Sequence, residues 1–204
     1  VKLLAKIHPA YIAHVLRYLD STEQKTLFNL IRDNEKAANV LSELEWNIGA
    51  ELLEQLEMDA AIAILHEMAD DDSVELIRNL SEELADSILA AMKNEHSEEL
   101  EQLLGYDEDT AGGIMSTDVF SLDQSLTVRQ AIEALQDSED FEMVFYVYVT
   151  DDHNHLVGVL SLRQLLTVPP STLLKNIMTT EVLRVRTDTH KEMVAEIVAK
   201  YKTV

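Results

Sequence analysis

The chain has no cysteine, so disulfides, thiolate metal sites and a cysteine nucleophile are excluded. It has few basic residues: 16 Lys and Arg stand against 38 Asp and Glu, a formal charge of −22. Nucleic acid is a poor partner for such a surface, because phosphate binding needs clustered Lys and Arg. An anionic membrane surface is disfavoured for the same reason, whereas cations and basic protein surfaces are favoured. Long apolar runs are also missing. The longest extend over a few residues, as at Val157–Leu160, far short of the ~20 that cross a bilayer. No nucleophile–base pair, phosphate-binding loop or metalloprotease motif occurs, so the pattern offers no support for an enzyme.

What is present divides in two. The first half carries apolar residues at helical spacing: Ile12, Val15, Leu16 and Leu19; Leu27, Leu30 and Ile31; Val40, Leu41 and Leu44; Ile48, Leu52, Leu53 and Leu56. The series continues through Ile62, Ile64 and Leu65, then Val74, Ile77 and Leu80, then Leu84, Ile88, Leu89 and Met92. Helix starts are marked by Pro9, by Ser21–Gln24, by Asp70–Ser73 and by Ser81–Glu83. Units this short are marginal alone and must stack to bury their stripes. The expectation is an all-helical, solenoid-like array, with a compact bundle as the alternative.

Beyond Gly112-Gly113 the pattern changes. Val119-Phe120, Val144–Val149 and Leu156–Leu160 read as strands, and Phe145–Val149 as a buried one. Asp151–Asn154 reads as the hairpin turn, with helices at about Val128–Gln136 and Leu162–Thr167. Ile114-Met115-Ser116-Thr117-Asp118-Val119 is echoed 63 residues later by Ile177-Met178-Thr179-Thr180-Glu181-Val182. Such repetition implies tandem copies of one small domain. The second copy reaches Val204 before a hairpin of its own, so a fragment of a longer protein is expected.

Tandem β-α-β-β-α units that open on Ile-Met-Thr resemble paired CBS domains, and Gly158–Leu165 fits the CBS hairpin pattern. The stretch Leu104-Gly105-Tyr106-Asp107-Glu108-Asp109-Thr110-Ala111-Gly112-Gly113-Ile114-Met115 resembles the junction in MgtE-type magnesium channels, where an acidic helical domain meets the first CBS domain. That resemblance extends over essentially the whole chain. It implies an α + α/β chain: an acidic helical domain at 1–104, a CBS domain at 105–168 and part of a second at 169–204. It also implies a homodimer paired through CBS domains, placed on the cytoplasmic face of the membrane. There it would sense Mg2+ and gate a pore formed by the same full-length chain.

The acidic residues supply the candidate ligands. Eleven of them, and no Lys or Arg, lie between Lys36 and Arg78. Asp70, Asp71 and Asp72 form the densest group, although Asp at a helix start also caps free N–H groups. The resemblance assigns metal-ligand positions to Asp71 and Asp72 and, in the second CBS segment, to Glu192. Asn39 and Lys202 stand where that family commonly has acids. CBS pairs also bind adenine nucleotides such as ATP, and Tyr146 and Arg163 fall at nucleotide-contacting positions. Gln164 replaces the Asp expected at the ribose and Thr203 the expected stacking aromatic, so weak or lost nucleotide binding is expected. Asp107–Asp109 and Glu139-Asp140 read as solvated loop charges, and Trp46 as a packing residue. His153 and His155 flank a turn; their pairing admits a transition-metal site, and the plain reading is a surface turn.

Overall fold

The computed structural model describes residues 4–92, 95–117, 119–138 and 145–201. Lys202, Thr203, Glu139 and Asp140 lie outside that set. Among the described residues no helix is long and apolar enough to cross a membrane. The chain forms two compact units. One comprises Val1–Thr117 with Arg186–Val204, the other Asp118–Val185.

Eight α-helices build residues 9–104 of the first unit: α1 (Pro9–Leu16), α2 (Ser21–Phe28), α3 (Asn34–Ser42), α4 (Trp46–Leu53), α5 (Met58–Leu65), α6 (Asp70–Arg78), α7 (Glu82–Met92) and α8 (Glu95–Leu104). Packing runs between every second helix. α1 lies on α3, α3 on α5 and α5 on α7, while α2 lies on α4, α4 on α6 and α6 on α8. This is the stacked, solenoid-like arrangement that short amphipathic helices require.

A repeated turn sets the spacing. The carbonyls of Leu16, Phe28, Leu41, Leu53, Leu65 and Ile77 each accept an N–H from the apolar residue three positions on: Leu19, Ile31, Leu44, Leu56, Met68 and Leu80. The six acceptors recur every 12 or 13 residues and are all at most 3 % exposed. Each of these six helices therefore carries a buried side chain at or next to its last position and closes with a single tight turn, which satisfies part of its free carbonyl set. Two buried polar residues complete the pattern. Gln24 Nε2 donates to Leu16 O at 2.9 Å, and Ser73 Oγ donates to Leu65 O at 3.3 Å. Trp46 packs on the core, as expected of it.

Some expectations need correction. Val15 is 49 % exposed, because an eight-residue helix offers too few turns for spacing alone to fix the buried face, and Leu30, 39 % exposed, lies beyond the end of α2. α2 is capped by Asp20 in a capping box with Glu23, one residue ahead of the Ser21 start read from the sequence.

The second unit is a three-stranded sheet, β1 (Ser121–Asp123), β2 (Tyr146–Thr150) and β3 (Leu156–Ser161), with α9 (Val128–Asp137) and α10 (Leu162–Thr167). β2 is central, parallel to β1 and antiparallel to β3. Val147, Val149 and Leu160 point into a core with Val128, Ala131, Leu165 and Leu174. Three details differ from the sequence reading. β1 begins at Ser121 rather than Val119. Phe145 precedes β2 and is 67 % exposed. β2 alternates, with Tyr146 and Tyr148 outward and both valines buried, which is the pattern of a sheet covered on one face.

Candidate functional site

Helix α6 organises the acidic stretch. Its N-cap is Ala69, which makes no side-chain capping bond, so Asp70 is the first helical residue rather than the cap. Asp70 is 3 % exposed and its carboxylate accepts the hydroxyl of Thr117. Asp71 and Asp72 are half-buried at the same helix end. Burial raises the Asp72 pKa above its ordinary value; a hydrogen bond from Ser42 opposes the rise and the neighbouring Asp71 charge adds to it. One turn on, Glu75 is already paired, its Oε1 lying 2.7 Å from Arg78 Nη1. Among the described residues no Lys or Arg forms an ion pair with Asp71 or Asp72. Asp71 and Asp72 are thus the partly exposed α6 carboxylates without a basic partner among the described residues, and burial disfavours ionisation of Asp72.

Arg78, at the other end of α6, ties down the segment after α8. Its side chain is 14 % exposed. The guanidinium donates to Tyr106 O at 2.9 Å, Gly113 O at 3.3 Å and Leu103 O at 3.5 Å, besides Glu75. With Asp70 on Thr117, the two ends of α6 hold residues 103–117 along one helix. The sequence offered one signal for Arg78: it is the basic residue that ends a long acidic interval.

The acidic loop is also strapped by residues 187–191. Ala111 N donates to Thr189 O at 2.7 Å and Gly112 N to Thr187 O at 2.9 Å. Lys191 opens α11 (Lys191–Tyr201), donating its N–H to Asp109 O at 2.8 Å and placing Nζ 2.6 Å from Asp109 Oδ1. Asp109 is therefore an ion-pair partner rather than only a solvated charge. The hydrogen bond and charge of Lys191 lower the Asp109 pKa, and the same bond and charge raise that of Lys191, with Glu108 and Glu75 adding to the rise. Lowered in the fold, Asp109 contributes stability above its unfolded value of about 4, lost as pH falls through the lower folded value. Lys191 contributes below about 10.4, lost as pH rises through its higher folded value. The pair acts across the neutral range. In Lys191→Gln the Asp109 carboxyl titration, followed by NMR, moves up toward the ordinary range; an unmoved titration would show that the ion pair does not form in solution.

Glu192, beside Lys191, is exposed in the first turn of α11. The three α6 aspartates do not converge on one point. Among the described residues the group whose potential ligand atoms lie within 4.8 Å of one another is Asp151, Asp152 and His153, on the β2–β3 turn. Tyr146 and Arg163 are both exposed, near one end of the hairpin, where Tyr146 pairs in register with Ser161. Gln164 is committed to the fold: its Oε1 accepts the N–H and hydroxyl of Ser161, and its Nε2 donates to Ile177 O at 3.2 Å.

Comparison with known proteins fits this architecture. Residues 7–109 match the model of the MgtE intracellular N domain, and residues 111–171 match the CBS domain. The magnesium transporter MgtE of Enterococcus faecalis is 39 % identical over 109 residues, 53 % of this chain and 24 % of that protein. The magnesium transporter MgtE of Thermus thermophilus is 40 % identical over 104 residues, 50 % of this chain and 23 % of that protein. The match spans about a quarter of each relative's length. Among solved structures, the cytosolic domain of the Mg2+ channel MgtE in complex with ATP is similar over 98 % of this chain and 82 % of that one, with TM-score 0.91 and 32 % identity. The soluble part of a magnesium transporter is similar over 99 % and 80 %, with TM-score 0.86 and 30 % identity. With its stacked acidic helices, its Asp-Glu-Asp-Thr-Ala-Gly-Gly junction and its CBS sheet, the chain belongs to the MgtE family.

Proposed function

We propose that this chain is the Mg2+-sensing regulatory region of a membrane magnesium transporter. It acts by binding, not by catalysis, and serves a pore carried by the same full-length protein. The observation that carries the reading is the Asp71–Asp72 pair: two half-buried carboxylates without a basic partner among the described residues, one of them disfavoured as an anion. The donor set is oxygen only, which suits a hard cation that keeps most of its water and takes one or two carboxylates. Without the ion, neighbouring acidic faces repel. With it they approach, and the closed state of the pore is favoured to the extent that Mg2+ binds the approached arrangement better. Glu192 and Asp70 belong to the same proposal, Glu192 as an exposed ligand and Asp70 through its hold on Thr117. The domains at 1–104, 105–168 and 169–204, and pairing of two copies through their CBS domains, complete it.

The prediction concerns stability. Raised in the fold, the Asp72 carboxyl costs stability when ionised, and that cost disappears as pH falls toward the ordinary carboxylate range. Mg2+ at ten times its dissociation constant adds about 1.4 kcal/mol, a rise in melting temperature on the order of 5 °C. Asp71→Asn and Asp72→Asn remove most of that rise, and acidification shrinks it. An equal rise in both variants, or in Na+ at matched ionic strength, would contradict the assignment.

A second reading, adenine-nucleotide sensing, is favoured by the similar structure solved with ATP and by the exposure of Tyr146 and Arg163. The engagement of Gln164 with Ser161 and Ile177 weighs against tight ribose binding. Calorimetry with ATP separates the two readings: micromolar affinity, lost in Arg163→Ala, would favour the nucleotide.

A further inference from the structure

We infer that the β2–β3 turn is a binding site for a divalent transition metal of the Zn2+ and Ni2+ class, separate from the oxygen-only pair on α6. The turn is built by Asp151, whose Oδ1 accepts the N–H of His153 at 3.0 Å and of His155 at 2.8 Å. Asn154 takes a left-handed backbone conformation, φ 61°, and turns the chain back toward His155.

Both imidazoles are oriented by carboxylates. His153 Nδ1 lies 2.8 Å from Asp152 Oδ1, and His155 Nδ1 lies 3.2 Å from Asp151 Oδ2. An ion bound here takes the place of the proton shared by His153 Nδ1 and Asp152 Oδ1, so that ring and carboxylate both become ligands. The rings are nearly parallel, 16° apart with centroids at 6.0 Å. Ligand atoms of Asp151, Asp152 and His153 lie within 4.8 Å of one another, and His155 stands beside that group, held to Asp151 through its Nδ1. Imidazole nitrogen with carboxylate oxygen suits borderline metals such as Zn2+, Ni2+ and Cu2+. Mg2+ prefers oxygen alone. The turn is exposed, so an ion from solution reaches it without opening the fold.

The test is calorimetry of the 204-residue chain with Ni2+ and with Zn2+, run on the parent, on His153→Ala/His155→Ala and on Asp71→Asn/Asp72→Asn. The parent binds an ion that the histidine double variant loses, with affinity at least about tenfold weaker and melting temperature unchanged. The α6 variant binds as the parent does, and a hundredfold excess of Mg2+ leaves the isotherm in place. Equal binding by parent and histidine variant would overturn the site, as would displacement by Mg2+ or loss of binding in the α6 variant. NMR checks the residues directly: Ni2+ broadens the His153 and His155 ring signals first, and broadening that begins at other histidines overturns the assignment.

Discussion

Gly113→Ala destabilises the helical unit by about 1–3 kcal/mol, the range for forcing a methyl group into filled space. A Cβ on Gly113 would overlap the carbonyl oxygen of Asp107 and lie 2.8 Å from the Glu108 Cα. Those are backbone atoms, so no side-chain rotation relieves the contact. The glycine is required by close approach, since its φ is not positive. Gly105→Ala is the control. Its added Cβ would lie 3.2 Å from Gln102 O, a contact that small shifts absorb. Urea unfolding of the three proteins checks the difference; Gly113→Ala within about 0.5 kcal/mol of the parent, the ordinary range for an inconsequential change, would mean that residues 107–113 do not hold this packing in solution.

Arg78→Met costs about 3 kcal/mol, because it leaves a half-buried Glu75 carboxylate unpaired and removes the donors to three carbonyls. Arg78→Lys recovers less than half of the loss. One ammonium cannot reach Glu75, Tyr106 and Gly113 in the directions a planar fork serves. Adding Glu75→Gln to Arg78→Met returns part of the stability, since the orphaned charge is gone. Unfolding midpoints of the parent, the two Arg78 variants, Glu75→Gln alone and the double variant measure each contribution and close a double-mutant cycle for the 75–78 pair. Additive single effects would place Glu75 outside the network.

Much of the architecture was legible in the sequence because it is local. The apolar stripes through Leu16, Leu41, Leu53, Leu65 and Ile77 are a pattern of spacing, and helices so short need their neighbours to bury them. Residues 162–167 form the helix read there, and Asp151–Asn154 turn the hairpin. What was not legible depends on distant partners. A three-residue strand such as β1 has too few positions to show alternation, and its place is set by pairing with Tyr148–Thr150. Asp70 reads as a cap, yet its carboxylate bonds to Thr117, 47 residues away. Asp109 reads as a loop charge until Lys191, far along the chain, is brought beside it.

The candidate site divides in the same way. Composition pointed to an oxygen-rich cation site between Lys36 and Arg78, and the resemblance narrowed it to Asp71 and Asp72. Neither could tell which acids the fold consumes. Glu75 is ion-paired with Arg78 and Asp70 is buried on Thr117, so fewer carboxylates are open to an ion than the count of eleven suggests. A tenfold preference per site is worth only ~1.4 kcal/mol, so a firm response needs several such sites.

The central proposal is that Mg2+ acts through Asp71 and Asp72 to draw acidic faces together. Small-angle scattering across millimolar Mg2+, on the parent and on Asp71→Asn/Asp72→Asn, tests it most directly. The radius of gyration of the parent falls as Mg2+ rises, while the double variant, and the parent in Na+ of equal ionic strength, keep the larger value. A parent that does not contract, or a double variant that contracts equally, would contradict it.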